Sequence, residues 1–314
     1  MTGVVSMREA FGRALVELGK ENERLVVLDA DVSNSTRTRI FGEAFPSRFF
    51  NCGVAEQNMV GIAAGLATMG FVPVASSFAF LLSLRAAEQV RTSIAYPRLN
   101  VKLAGGYCGL SDAKDGPTHQ SIMDIAVMRS MPNVGVVCAS DAVTVRQALG
   151  AVVNSKGPWY LRISRAEVPT IFPEDAPFVL GKARMVRDLG NDCLILATGT
   201  AVTDALEAQE MLNMRGIRTK LAEVHTIKPL DRDFILQGAK ETGAIVTVEE
   251  HSIIGGLGGA VSEVIAESGC ARVLRVGLKD TFAESGDYER LRKAYGLDAE
   301  SINRAVQLCL SAKT

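Results

Sequence analysis

One carboxylate stands where α/β proteins often place chemistry. In residues 49–69, FFNCGVAEQNMVGIAAGLATM, an apolar run typical of a strand ends in a glycine-containing turn, and Glu56 follows at the start of a helical stretch from about 57 to 69. An acid at this corner has two interpretations. It complements the helix dipole, which stabilises by about 0.3–1 kcal/mol, or it acts on a ligand. The stretch alone does not decide between them.

A second candidate is the loop CGLSDAKDGPTHQ at residues 108–120, which carries Asp115 and His119 on either side of a Gly-Pro turn. The chain has three histidines. A histidine in such a loop is able to donate to a carbonyl oxygen and to exchange protons near pH 7. The alternative is a turn capped by the aspartate, with the histidine at the start of the next helix.

Further candidates follow strands. The strand predicted at 25–30 ends in Asp29 and Asp31, and the strand predicted at 71–77 is followed by Phe78 and Phe80. Parallel sheets place their sites in the loops after such strand ends. The two phenylalanines form either the aromatic wall of a pocket or part of the core.

The elements that must position these residues alternate regularly. Strands are predicted at 25–30, 71–77, 101–106, 134–139 and 159–163, with helices at 6–20, 57–69, 79–95, 141–154 and one ending near 131. This alternation predicts a doubly wound parallel sheet of the α/β class. A proline-rich, acidic stretch interrupts it, and a second, smaller alternation follows. The sequence therefore predicts a domain at 1–168, a linker at 169–184 and a smaller α/β domain at 185–314.

The helix predicted at 57–69 is rich in residues with almost no side chain. It carries Gly61, Ala63, Ala64, Gly65 and Ala67, and a glycine inside a helix costs about 1 kcal/mol relative to alanine. Small residues let another backbone approach closely. We therefore expect this helix at a subunit interface.

The motifs GVAEQN, SSFAF and DGPTHQ, in this order and with the small-residue helix after the first, resemble the pyrimidine-binding domain of thiamine-diphosphate enzymes of the transketolase type. The resemblance covers essentially the whole chain. It implies a pyrimidine-binding domain followed by a transketolase C-terminal-like domain. It also implies that Glu56 hydrogen-bonds a ring nitrogen of the aminopyrimidine and activates thiamine diphosphate. Phe78, Phe80 and Leu81 are the candidates for the wall of that pocket, and either Asp29 or Asp31 faces the thiazolium ring.

The same resemblance assigns the substrate residues. Asp115 and His119 are placed at the hydroxyls next to the scissile carbon, with His119 in a catalytic role. Arg8, Ser33 and Arg165 match positions that hold the sugar phosphate, and an arginine fork suits a phosphate well. The implied activity is transfer of a two-carbon ketol unit from a ketose phosphate to an aldose, in the pentose phosphate pathway or on a specialised sugar.

The sequence contains no GDG motif, which thiamine enzymes use to bind the diphosphate through Mg²⁺. The resemblance therefore implies that this chain holds no metal itself and that a separate N-terminal subunit holds the Mg²⁺ and the diphosphate. We expect an α2β2 heterotetramer in which this chain also self-associates through its pyrimidine-binding domain.

Composition excludes several other classes. The net charge is −1, so we expect no binding to nucleic acid or to anionic lipid. No apolar run reaches the roughly 18–20 residues of a membrane span. The six cysteines contain no CxxC pair and indicate free thiols in a reducing compartment. With no signal peptide apparent in the first residues, a cytoplasmic location is expected.

Two alternatives remain at this point. The beta subunit of a 2-oxoacid dehydrogenase has the same two domains but no comparable DGPTHQ run, and a nucleotide-binding or regulatory relative would keep the fold without the chemistry. His225 and His251 are expected to cap strand ends. The glycine-rich run at 255–261 has the wrong spacing for a dinucleotide loop and is expected to be a tight helix start.

Overall fold

The computed structural model describes residues 2–311 of the chain as three sheets with helices packed on them. The strands are β1 (Thr2–Ser6), β2 (Leu25–Asp29), β3 (Phe49–Asn51), β4 (Val72–Phe78), β5 (Lys102–Gly106), β6 (Gly135–Cys138), β7 (Trp159–Arg162), β8 (Glu167–Thr170), β9 (Arg184–Asp188), β10 (Cys193–Ala197), β11 (Thr219–Glu223), β12 (Thr226–Lys228), β13 (Ala244–Ser252) and β14 (Arg272–Leu278).

The α-helices are α1 (Met7–Glu21), α2 (Ser33–Thr36), α3 (Arg39–Ala44), α4 (Glu56–Thr68), α5 (Ala87–Gln89), α6 (Asp124–Ser130), α7 (Ala142–Asn154), α8 (Ala201–Met214), α9 (Arg232–Thr242), α10 (Leu257–Ser268), α11 (Tyr288–Ala294) and α12 (Ala299–Ser311). A 3₁₀ turn covers Pro46–Arg48, and π-helical turns cover Leu81–Arg85 and Val90–Ala95.

The first sheet has seven strands in the order β12-β6-β7-β5-β4-β2-β3. Its pairs are parallel except for the edge strand β12, which pairs antiparallel with β6. The second sheet has the order β14-β13-β10-β11-β9, with β9 as an antiparallel edge. The α/β class and the doubly wound arrangement are thus confirmed, and each sheet carries one antiparallel edge strand that the alternation did not predict.

Local sequence explains several of the elements. Strand β2 is buried along its whole length, as expected for a strand covered by helices on both faces. Helix α1 begins after Ser6, whose side chain accepts a hydrogen bond from the Glu9 amide, and helix α7 is capped in the same way by Asp141. Such caps satisfy amides that have no partner within the helix.

Several expectations needed correction. The helix predicted at 79–95 is two π-helical turns around a short α-helix. Residues 167–170, which span the predicted boundary between the first domain and the linker at 168–169, form strand β8, and this strand pairs with β1. Strand β12 lies in the second half of the chain but completes the first sheet. Strand β9 and helices α11 and α12 were not predicted.

Cys52, Cys108, Cys138 and Cys270 are free thiols, as the sequence predicts for them, and Cys108, Cys138, Cys193 and Cys309 are buried. Within residues 2–311, no helix has the length and apolar character needed to cross a membrane. The same residues contain no cluster of three histidine, cysteine or acidic side chains arranged to hold a metal ion.

Candidate active site

The predicted site residues gather at one edge of the first sheet. Strands β5, β4, β2 and β3 are neighbours and run parallel, so their carboxyl ends open on the same side. Loops at this edge carry the acids after β2, Glu56 after β3, the phenylalanines at the end of β4 and the loop of residues 107–123 after β5. Parallel strand order thus brings together residues that lie far apart in sequence.

Glu56 is the first residue of α4 and is completely buried. The Ser77 hydroxyl donates to its Oε1 over 3.0 Å, and Arg85 Nη1 donates to its Oε2 over 2.7 Å. The Arg85 side chain is 46% exposed. Each carboxylate oxygen has two lone pairs, so both oxygens retain capacity to accept a further hydrogen bond from a ring N–H.

Phe78 and Phe80 form an aromatic cluster with Tyr107 and His119 of the loop of residues 107–123. The Phe78 ring centroid lies 4.6 Å from that of Tyr107, and the Phe80 centroid lies 5.3 Å from that of His119. Both phenylalanines are part-exposed rather than buried in the core. Leu81 begins the first π-helical turn and is also part-exposed. The geometry therefore joins the predicted aromatic wall to the predicted catalytic histidine.

Tyr107 links two of the predicted phosphate residues. Arg8 Nη1 donates to the Tyr107 hydroxyl over 2.7 Å, and the guanidinium carbons of Arg8 and Arg165 lie 5.1 and 5.0 Å from the centre of its ring. Burial, with Arg37 and Arg165 nearby, lowers the pKa of Arg8. The site thus concentrates positive charge at a partly desolvated position, which suits an anionic group.

Asp112 holds Arg165 in place. Its buried Oδ1 accepts from Arg165 Nη1 over 2.8 Å. Burial, together with the neighbouring Asp115, raises the pKa of Asp112 to about 6, although Arg165 opposes both effects. Asp115 itself is exposed, and His119 is part-exposed, with the Thr118 hydroxyl 2.9 Å from its Nδ1. The two side chains are therefore open to a ligand.

The acids after β2 differ in environment. Asp29 is buried and accepts hydrogen bonds from the Val32 amide and from the hydroxyls of Thr36 and Thr38. Its carboxylate therefore organises its own loop. Asp31 is exposed, has φ 63° and accepts from Asn51 over 2.8 Å. The geometry favours Asp31 as the residue that faces a ligand; Ser33, at the start of α2, is part-exposed beside it.

Four residues of this cluster were not predicted from the sequence: Ser77, Arg85, Tyr107 and Asp112. Tyr107 follows β5 directly and could have been found from its strand-end position. Its φ of 60° is a second signal that only the structure provides, since a non-glycine residue with positive φ is uncommon. Arg85 and Asp112 have no local sequence signal, because their partners lie 29 and 53 residues away.

The remaining histidines lie apart from this cluster. His225 is buried and stacks on Phe178 with ring centroids 4.1 Å apart, and burial lowers its pKa to about 3. His251 is buried, and burial lowers its pKa to about 4.

The glycine-rich run of residues 255–261 forms the start of α10, where Glu249 accepts hydrogen bonds from the Leu257 and Gly258 amides over 2.7 and 2.8 Å. This amino-terminal end is capped by a carboxylate of the chain itself.

Comparison with known proteins identifies relatives along nearly the whole chain. Residues 4–170 match the family described as "Transketolase, pyrimidine binding domain", and residues 181–302 match "Transketolase, C-terminal domain". A "Putative transketolase C-terminal section" from Methanocaldococcus jannaschii is 47% identical over 96% of this chain and 95% of its own length.

Other relatives differ in length and in named substrate. The "6-deoxy-6-sulfo-D-fructose transketolase subunit SqwH" of Clostridium sp. strain MSTE9 is 40% identical over 95% of this chain and 92% of its own. Human transketolase is 37% identical over 96% of this chain, which spans 49% of the human protein. Among solved structures, "Split gene transketolase, inactive beta4 tetramer" matches with a TM-score of 0.92 and 45% identity, covering 99% of this chain and 100% of that one.

Proposed function

The chain belongs to the transketolase family, and we propose that it is the C-terminal subunit of a two-subunit, thiamine-diphosphate-dependent transketolase. The observation that carries the proposal is a convergence at the carboxyl ends of the strands of the first sheet. Glu56, the aromatic cluster, the loop of residues 107–123 and the arginines Arg8 and Arg165 all meet there. Its reaction is transfer of a two-carbon ketol unit from a ketose phosphate to an aldose, with carbohydrate metabolism as the setting.

The residues present fit the aminopyrimidine half of the cofactor. A buried carboxylate with free lone pairs suits a ring nitrogen, and the part-exposed Phe78 and Phe80 offer aromatic faces to the ring. When bound, thiamine diphosphate supplies the nucleophilic carbon that the chain lacks. Glu56 would form a hydrogen bond to a ring nitrogen of the aminopyrimidine and would exchange a proton with it. Because Glu56 is completely buried, a ring reaches it only if a neighbouring side chain moves, and Arg85 is its most exposed contact.

On the substrate side, His119 and Asp115 orient the hydroxyls beside the bond that breaks. The imidazole of His119 donates a hydrogen bond to an oxygen of the sugar or accepts one from it. Arg8 and Arg165 bind the terminal anion, with Ser33 as a further donor. Asp112 orients the Arg165 guanidinium, so the arginine fork is preorganised before the sugar binds.

An exposed face of helix α4 is the basis for proposing a partner. Gly61 and Gly65, on an exposed face of α4, have open space beside them, and Ile62 and Val54 are exposed at 38% and 69%. We propose that this face packs on a second copy in an α2β2 assembly. An N-terminal subunit would hold Mg²⁺ and the diphosphate. The chain spans 49% of human transketolase, whereas it covers 95% of a relative that is itself named as a transketolase C-terminal section, and this relative supports a two-subunit enzyme.

We also propose the division into a domain at 1–168, a linker at 169–184 and a domain at 185–314, with the linker trimmed to the residues between β8, which ends at Thr170, and β9, which begins at Arg184. The free cysteines support a reducing, cytoplasmic setting. The sugars are not fixed by the family, since a relative is named for a sulfosugar. A general pentose phosphate role is the working proposal.

The test is reconstitution. The purified chain, an N-terminal transketolase subunit from the same organism and their mixture are each assayed with thiamine diphosphate, Mg²⁺, a ketose phosphate donor and an aldose acceptor. Turnover is expected only in the mixture. Turnover by the homogeneous lone chain would refute the two-subunit proposal, and conversion of pyruvate in place of the ketose by the mixture would assign the chain to the 2-oxoacid dehydrogenases instead.

A further inference from the structure

The loop of residues 107–123, called here the substrate loop, carries Asp115 and His119 and lies between β5 and α6. We propose that the C-terminal half of the chain positions this loop for catalysis, and that Glu250 on β13 is the positioning residue. The inference rests on the proposed function only in calling the loop's ligand a sugar. It assigns a role to a half of the chain that contributes none of the predicted site residues.

Apolar side chains of the loop are buried in the C-terminal half. Leu110, Ala113 and Ile122 are exposed at 0%, 5% and 5%. They belong to one hydrophobic cluster with residues of the second sheet, such as Ile195 and Val248. The loop is therefore packed into the second core, although its flanking strand and helix belong to the first half.

Hydrogen bonds fix the loop at several points along its length. The Gly286 amide donates to the Ala113 carbonyl over 2.9 Å, and the Ser252 amide donates to the Ile122 carbonyl over 2.8 Å. Between them, the buried Gln120 donates to the carbonyl of Glu284 over 3.0 Å. These contacts lie on both sides of the Asp115–His119 segment, so they fix its position relative to the carboxyl ends of the strands.

Glu250 makes the contact at the base of the loop. Its Oε1 accepts from the Leu110 amide over 2.6 Å, and its Oε2 accepts from the hydroxyls of Thr200, over 3.0 Å, and Tyr288. Gly109 has φ 63°, and a β-carbon there would overlap Glu250 Oε1. The carboxylate is 5% exposed, so it acts through the loop rather than on a sugar.

This geometry predicts a kinetic signature. Loosening the base of the loop misplaces Asp115 and His119, and a misplacement of about 1 Å costs up to about 100-fold in rate. Glu56 contacts none of the C-terminal residues named above, so its role toward the cofactor is left intact. The Michaelis constant for the ketose should therefore rise and kcat should fall, with the affinity for thiamine diphosphate unchanged.

The neighbouring Glu249 offers a matched control. Glu249 is also buried on the same strand, and it also accepts hydrogen bonds from backbone amides. Those amides belong to the start of α10 and lie outside the loop. Glu250→Ala is compared with Glu249→Ala. Glu250→Gln should rescue the loop, because its amide oxygen still accepts from Leu110 while its nitrogen donates to a hydroxyl of Thr200 or Tyr288.

Limited trypsin digestion of the chain measures opening of the loop without any assay of activity. Trypsin cleaves after lysine, and Lys114 is exposed within the loop. Cleavage after Lys114 should be about tenfold faster in Glu250→Ala, as expected for loss of one buried hydrogen bond. It should stay near wild type in Glu249→Ala and Glu250→Gln. If Glu250→Ala does not fold, Gly109→Ala replaces it, since it pushes the loop away from an intact C-terminal half.

Kinetics of the reconstituted enzyme complete the test. A rise of about threefold to tenfold in the ketose Michaelis constant is expected in Glu250→Ala alone. Equal cleavage or equal kinetics in the two alanine variants would overturn the positioning role in favour of a general loss of stability. If the wild-type mixture shows no ketose turnover, the proposed function fails, whereas the cleavage comparison still decides whether Glu250 holds the loop.

Discussion

Replacing Glu56 with glutamine separates chemistry from folding at the centre of the site. An amide at this position donates to Ser77 Oγ through its nitrogen and accepts from Arg85 through its oxygen, so both existing contacts survive in weaker form. Exchanging a charge-assisted hydrogen bond for a neutral one lowers the unfolding free energy by about 1 kcal/mol. This loss is small against the roughly 5–15 kcal/mol that stabilise a typical domain.

The expected loss of activity is larger. The amide no longer exchanges a proton with the ring nitrogen, and the loss of acid–base catalysis costs about 100-fold to 10,000-fold, or about 3–5 kcal/mol in the activation barrier. The assay is turnover of a ketose phosphate by the reconstituted enzyme at saturating thiamine diphosphate, with urea unfolding of the same preparation. Ser77→Ala is the control, because it removes one hydrogen bond and keeps the carboxylate. A Glu56→Gln enzyme within about threefold of the wild-type rate would show that Glu56 has no catalytic role.

Three further outcomes are expected. His119→Ala should lower turnover and leave the affinity for thiamine diphosphate nearly unchanged; lost affinity with normal turnover at saturation would contradict its role toward the sugar. Arg165→Ala should weaken the binding of phosphorylated sugars by about 1.5–3 kcal/mol, measured as a rise in their Michaelis constants. An equal effect on unphosphorylated sugars would show that Arg165 does not recognise the phosphate. Burial lowers the pKa of His225 to about 3. Between about pH 3 and about pH 6.5 the folded chain therefore binds fewer protons than the unfolded chain. Because of this difference, the free energy of unfolding decreases as the pH falls through this window. His225→Gln should abolish about 2 kcal/mol of this loss between pH 8 and pH 5; a urea-denaturation series with the same pH slope as wild type would contradict the assignment.

Much of the site was accessible from local sequence. The strand-to-helix corner at Glu56, the polar loop with Asp115 and His119, and Phe78 at the end of β4 all appear where periodicity and turn residues place them. These features depend on neighbours within a few residues. The α/β class followed for the same reason, because alternating strand and helix patterns permit few other arrangements.

The tertiary structure decided which side chains meet. Arg8 and Tyr107 are 99 residues apart, and Leu110 and Glu250 are 140 apart. No local pattern encodes such pairs, since they depend on strand order and on packing between the two halves. The same holds for Asp29 and Asp31, which look alike in sequence but differ in burial. Periodicity within one segment specifies which face is buried, whereas partners and exposure at a sheet edge arise only when distant segments pack together.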